Sequence, residues 1–117
     1  PFDQPLREGY RKLLVVLTRP RDYVKGPMPA SVGALLRTAY RQFPSVFEGV
    51  ARRPDRYNAG RRLLFDLEER GQAYVFAPDN LWINNTESRR ERLEATYRAG
   101  LVQAVREMPA IKAFLGL

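Results

Sequence analysis

Arg11-Lys12-Leu13-Leu14-Val15-Val16-Leu17-Thr18-Arg19-Pro20-Arg21-Asp22-Tyr23 decides how this chain folds. Five apolar residues in succession, Leu13–Leu17, stop abruptly at Thr18-Arg19-Pro20. A run this continuous leaves no polar face, so it reads as a strand covered on both sides, as in the parallel sheet of an α/β protein. The residues after such a strand lie at the carboxyl edge of the sheet, where open α/β folds place their ligands. Here they are basic: Arg19, Arg21 and Lys25.

Outward from this strand, taken as residues 12–18, the pattern is mainly helical. Phe2–Gly9 reads as a short helix with Phe2, Pro5 and Leu6 inward and Gly9 closing it. Three prolines and a glycine in Arg19–Pro29 mark a loop. A helical crossover follows over residues 31–70. Ser31 is expected to cap its first helix, whose residues Val32, Leu35, Leu36, Ala39 and Phe43 share one face. Ser45-Val46-Phe47-Glu48 has capping-box spacing for the second, which Pro54 ends. The third turns Tyr57, Leu64 and Leu67 inward and stops at Gly71.

Gln72–Ala77 (residues 72–77) is the second strand, and Leu81-Trp82-Ile83 is a brief extended piece that would make a third at most. Asn84–Ser88 is expected to cap a long helix, residues 87–107, with a stripe of Leu93, Tyr97, Leu101, Ala104, Val105 and Met108. Pro109 is expected to kink the chain into an apolar tail, residues 109–117. The fold class is therefore α/β: one domain over 1–117, with a minimal parallel sheet of two or three strands backed by four to five helices. Two strands are too few for a stable sheet alone, so the piece reads as part of a larger fold.

Composition excludes several chemistries. Among 117 residues there is no Cys and no His. That removes disulfides, thiolate nucleophiles, the Ser-His-Asp triad and His-ligated metals from this chain. No stretch reaches the roughly 18 apolar residues of a membrane span, and no signal-peptide pattern opens the sequence. A reducing cytoplasm fits. The net charge of +7 is concentrated in residues 1–62, which sum to +8, while residues 63–117 sum to −1. A basic half can meet anionic lipid, nucleic acid or an acidic protein surface.

The short motifs are weak. Ser31-Val32-Gly33 is half of a nucleophile elbow, but Pro29 replaces the first glycine and a Pro-rich loop replaces the strand. Asn84-Asn85-Thr86 matches a glycosylation sequon, and capping accounts for it better. Glu68 and Glu69 splay apart on their helix, and no calcium-loop spacing occurs. Arg52, Arg53, Arg56, Tyr57, Arg61 and Arg62 interleave basic and aromatic residues, yet no helix-turn-helix or RNA-binding sheet motif accompanies them.

Taken in order, Gly9-Tyr10-Arg11-Lys12 with Leu14-Val15-Val16-Leu17-Thr18-Arg19-Pro20, Arg21-Asp22-Tyr23, Arg56-Tyr57-Asn58, Leu67-Glu68 with Gly71, the Pro78-Asp79 turn, Arg92-Leu93-Glu94 and Tyr97-Arg98-Ala99-Gly100 resemble the C-terminal portion of bacterial patatin-like phospholipases. The resemblance implies a fragment of a larger patatin-like α/β fold, an esterase that acts in lipid metabolism through a Ser-Asp dyad. Its Gly-x-Ser-x-Gly, Asp-Gly-Gly and Gly-rich oxyanion motifs do not occur here, so the dyad would lie upstream. No catalytic, cofactor-binding or metal-binding residue carries over.

The expected function is thus the non-catalytic C-terminal part of a lipid acyl hydrolase, cytoplasmic and peripheral at the membrane. It would buttress the sheet of an upstream catalytic domain in the same polypeptide. Arg19, Arg21 and Lys25 are the candidate contacts to anionic lipid headgroups. A partner-binding or homodimerising module is the alternative. A basic nucleic-acid-binding domain comes third, supported by charge alone.

Overall fold

A computed structural model describes residues 3–117. The elements are α1 (Asp3–Arg7), β1 (Leu13–Val16), α2 (Ala30–Ala39), α3 (Pro44–Ala51), α4 (Arg53–Glu69), β2 (Ala73–Phe76) and α5 (Arg90–Leu115). The fold is α/β: a two-stranded parallel sheet with five helices, three of them in the crossover between the strands. Leu81-Trp82-Ile83 joins no sheet. Phe2, expected on the inner face of the first helix, lies outside the described residues. The described chain divides into two compact units, one formed by the residues up to Tyr23 with Phe65–Leu117, the other by Val24–Leu64.

In the first unit the strands pair in register, Leu13 with Ala73 through Val16 with Phe76. Partners in a parallel ladder point to the same side of the sheet, and successive residues point to opposite sides. Leu13, Ala73 and Val75 therefore share a face, and all three are buried together with Leu67 and Ala77. Leu14, Val16, Tyr74 and Phe76 share the other. Tyr74 there meets Phe114 of α5, with ring centroids 5.9 Å apart. Helix α5 thus lies over β2 and leaves β1 bare: Leu14 is 42% and Val16 65% exposed. The expectation of a strand covered on both sides is corrected in this respect, because the described chain has nothing to lay over β1 on that face.

Glycine stops the helices as the sequence predicts. Gly9 and Gly71 have φ of 91° and 70°, a region that L side chains rarely enter. At Gly71 the N–H donates to the Glu68 carbonyl and the N–H of Gln72 to the Leu67 carbonyl, the paired bonds of a Schellman motif. This turn delivers the chain from α4 straight into β2.

The expected N-caps are corrected. Helix α2 begins at Ala30 behind Pro29, and α3 begins at Pro44 behind Phe43, neither with a side-chain cap. Each N-cap lies two residues before the expected serine, so Ser31 and Ser45 fall inside the first turn. Pro44 can open a helix because the N–H it lacks would have no intrahelical partner there. Helix α5 starts after Arg89, and Asn84 instead accepts bonds from the N–H and hydroxyl of Thr86.

Pro109 does not end α5, which continues to Leu115. A proline inside a helix costs one hydrogen bond, to the carbonyl four residues back. Helix α5 is held on both sides of it, by Gln103 before and by Phe114 beyond. Lys12 Nζ donates to the Phe114 carbonyl at 2.8 Å and sits 5.4 Å from that ring. The apolar stripe of α5 is also not where an amphipathic helix would put it. Gln103 is the buried residue, whereas Tyr97, Leu101 and Val105 are 71%, 53% and 68% exposed.

In the second unit, Leu64 is 1% exposed, and Arg61, three residues before it on α4, is also buried. No residue of α2 or α3 is buried, and the shared face of Val32, Leu35 and Phe43 is open. The side chain of Asn58 fastens the chain at Lys25: its Oδ1 accepts from the Lys25 N–H at 2.9 Å, and its Nδ2 donates to the Lys25 carbonyl at 3.0 Å. A groove lined by Met28, Pro29, Gly33, Arg37 and Phe47 runs along α2 and α3.

Candidate functional site

Both strands of the first unit end at the same side of the sheet, and the turns that follow them face each other. Pro20-Arg21-Asp22 after β1 and Ala77-Pro78-Asp79 after β2 line an open cleft of about 290 Å³. Parallel pairing makes this arrangement unavoidable, since strands that run the same way must both release their loops at one edge.

Arg21 is the central side chain of the cleft, and its role differs from the sequence-based expectation. Its guanidinium forms a two-pronged ion pair with the Glu68 carboxylate. It also donates to the Val75 carbonyl at 3.1 Å and lies 4.9 Å from the centre of the Phe65 ring. Glu68 Oε1 in turn accepts from the Val75 N–H at 2.9 Å. In the ladder, Leu13 N–H donates to the Gln72 carbonyl and Leu17 N–H to the Phe76 carbonyl. The N–H and C=O of Val75 therefore point the other way, along the outer edge of β2. Arg21 and Glu68 together occupy that edge in the manner of a neighbouring strand.

Gln103 completes the edge. Its Nε2 donates to the Ala77 carbonyl at 2.7 Å and to Glu107 Oε1 at 2.8 Å, and its Oε1 accepts from the Asp79 N–H at 3.0 Å. Asp79 is further held by Arg106 at 2.8 Å. Glu107 Oε2 accepts from the Tyr74 hydroxyl at 3.1 Å. Burial pushes the Tyr74 phenol above its ordinary value, and the bond to the Glu107 carboxylate pushes it further. Sequence reasoning missed Gln103 and Glu107. The one available signal was a polar pair, four residues apart, interrupting the stripe of α5.

The other two candidate cations are placed separately. Arg19 donates to Asn85 Oδ1 at 2.9 Å and covers the Tyr23 ring at 5.2 Å. Lys25 belongs to the second unit, with Nζ 5.5 Å from the Tyr57 ring. The segment before α5 carries another basic cluster. The Glu87 carboxylate holds Arg89 by two bonds of 2.9 Å and also meets Arg92, and these bonds keep it down at about 2.

Among the described residues no group of carboxylates is arranged to hold a metal ion, and no helix is long and apolar enough to cross a membrane. The cleft therefore offers one engaged guanidinium and two exposed carboxylates, Asp22 and Asp79. These can contact a polar ligand but include no nucleophile set beside a base.

No curated protein and no solved structure matches the chain. A family model described as a domain of unknown function (DUF6363) matches residues 43–116, which run from the residue before α3 through α5, and the chain belongs to that family.

Proposed function

We propose that this chain is the non-catalytic C-terminal part of a patatin-like serine lipid acyl hydrolase, whose Ser-Asp dyad lies upstream in the same polypeptide. There the serine hydroxyl attacks the ester carbonyl while the aspartate takes its proton. The alcohol leaves, and water then releases the acid from the acyl-enzyme. The piece described here buttresses the catalytic sheet and forms one wall near its carboxyl edge, working in the cytoplasm and against a membrane surface.

The observation that carries this reading is the incomplete sheet. Two parallel strands make a minimal sheet, and β1 turns Leu14 and Val16 to solvent on one face. The order of residue motifs that resembles the patatin-like family supplies the identity of the larger fold. The test is a longer protein that joins this chain to the residues encoded before it. Such a protein hydrolyses medium-chain esters and is labelled at a single serine by a fluorophosphonate. Absence of both signals rules the reading out.

Within that reading Arg19 and Lys25 are the candidate contacts to an anionic headgroup, because Arg21 is paired with the Glu68 carboxylate, whereas Arg19 meets the neutral Asn85 and the Tyr23 ring and Lys25 the Tyr57 ring. Arg19→Glu with Lys25→Glu then lowers binding of the longer protein to vesicles containing anionic lipid. Unchanged binding removes the headgroup role.

A second reading is favoured by α5. Leu93, Tyr97, Leu101, Val105 and Met108 recur at helical spacing and are all exposed. A partner-binding or dimerising module would use this stripe. Leu101→Glu with Val105→Glu tests it without disturbing Phe114: a dimer lost on substitution supports the module.

A further inference from the structure

The two edges of the sheet are finished differently. On β2 three outward main-chain groups toward the end of the strand are taken, Val75 N–H by Glu68, Val75 C=O by Arg21 and Ala77 C=O by Gln103. On β1 the ladder uses the N–H groups of Leu13 and Leu17, so those of Leu14 and Val16 point outward together with their carbonyls. Among the described residues these outward groups of β1 have no partner. An unpaired row of this kind on an apolar strand is a template for another strand.

We infer that β1 is the strand-accepting edge of this fold and β2 its sealed end. The occupant of the β1 edge is an extended apolar strand running parallel to it. The hydrolase reading above is used only for the source of that strand, the upstream part of the same polypeptide.

Three observations select this occupant. Leu13–Leu17 is apolar throughout, the composition of a strand inside a parallel sheet rather than of an antiparallel edge with one polar face. The bare face of β1, Leu14 and Val16, adjoins α5 over β2, so a new strand and its covering helix would continue an existing layer. A second copy is disfavoured by charge. Two-fold pairing of β1 with itself runs antiparallel and brings Arg11 and Lys12 of one copy toward Arg19 of the other, like charge against like charge.

Arg21 and Glu68 thereby acquire a role: they blunt the edge that must not pair. The clamp keeps growth of the sheet to one side, which is how natural sheets avoid association through their edges.

Amide hydrogen exchange tests the inference, measured in the 117-residue chain and in the longer protein joined to its encoded upstream residues. On joining, exchange at Leu14 and Val16 slows on the order of 100-fold, while Val75 is protected in both. Leu14 and Val16 remaining fast in the longer protein would overturn the inference. So would protection in the 117-residue chain that grows with its concentration alongside a dimer mass, which would make a second copy the occupant.

Val16→Pro supplies an independent check. It removes an outward N–H and leaves the β1–β2 hydrogen bonds in place. The isolated chain should keep its circular dichroism, and the longer protein should lose protection at Leu14. Retained protection at Leu14 counts against the inference. The two proposals fail separately: protection without esterase activity leaves the edge and removes the hydrolase, and activity with an unprotected edge does the reverse.

Discussion

Glu68 accepts the main-chain N–H of Val75 at 2.9 Å, seven residues further along the chain and across the Gly71 turn. The last turn of α4 therefore closes the edge of the strand it leads into. Val75 is 2% exposed, and the carboxylate is the partner of its N–H. Arg21, arriving from the loop after β1, neutralises the carboxylate and takes the Val75 carbonyl.

Replacing Glu68 separates the hydrogen bond from the charge. Glu68→Ala leaves a buried N–H unpaired and should cost about 1–3 kcal/mol. Glu68→Gln keeps an oxygen for Val75 and loses only the ion pair, for a loss of about 1 kcal/mol or less. Urea unfolding followed by circular dichroism measures both. Equal losses would show that the N–H finds another acceptor.

Gln103 binds three groups from a buried position, including the Ala77 carbonyl and the Asp79 N–H. Gln103→Leu fits the volume but orphans both main-chain groups, and a loss of about 2 kcal/mol or more is expected. A neutral result in a thermal melt would mean that the turn at Pro78 relaxes to let water in.

The apolar residues divide sharply by position. Val16, at 65% exposure, can become Thr within about 0.5 kcal/mol in this chain. Leu64, at 1% exposure, becomes Ala at a cost of about 2–5 kcal/mol, transfer and cavity terms together. Denaturant midpoints of the two variants should differ accordingly. A large loss for Val16→Thr would place that side chain in a contact.

The Glu87 carboxylate is held at about 2 by its bonds to Arg89, against an ordinary 4.5. Because the folded value is the lower one, its contribution to stability is complete above pH 4.5 and is lost as the pH falls toward about 2. Order in the turn before α5 should fade across that window. Glu87→Gln should abolish this pH dependence, observed as an NMR shift of the Arg89 amide. Persistence of the transition in the variant would assign it to another carboxylate.

Tyr74 behaves in the opposite sense. Burial and Glu107 raise its folded value above the ordinary 10.0, so the neutral phenol stabilises the fold below that pH and the contribution disappears as the pH rises past the raised value. Ultraviolet titration should show one tyrosine ionising late, and Tyr74→Phe should remove that step. A late step surviving in the variant would place the shifted phenol elsewhere.

Much of the framework was legible along the chain. Leu13–Leu17 and the segment after Gly71 are strands because continuous apolar runs bounded by turn residues have few other solutions. Gly9 and Gly71 stop helices because only glycine enters that backbone region without strain. The caps failed because the helices begin ahead of the serines: α3 opens on Pro44, whose ring presets the helical φ at the first position, and α2 opens on Ala30 directly after the extended Pro29. Pro109 failed as a breaker because Gln103 and the Phe114 contacts anchor α5 on either side of it. The position of Arg21 after β1 is visible in the sequence, but Glu68, the partner that occupies its charge, lies 47 residues away and is not.

By itself the sequence determined which segments are strands, which are helices, where glycine ends them, and that the loop after the first strand is basic. These depend on residues within a few positions of one another, and local sterics and periodicity suffice to read them. Only the tertiary structure decided that Glu68, Arg21 and Gln103 converge on one edge of β2 while the edge of β1 stays open. Arg21 lies 47 residues from Glu68 and 54 from Val75, and a side-chain hydrogen bond of that span leaves no periodic trace in the chain that makes it.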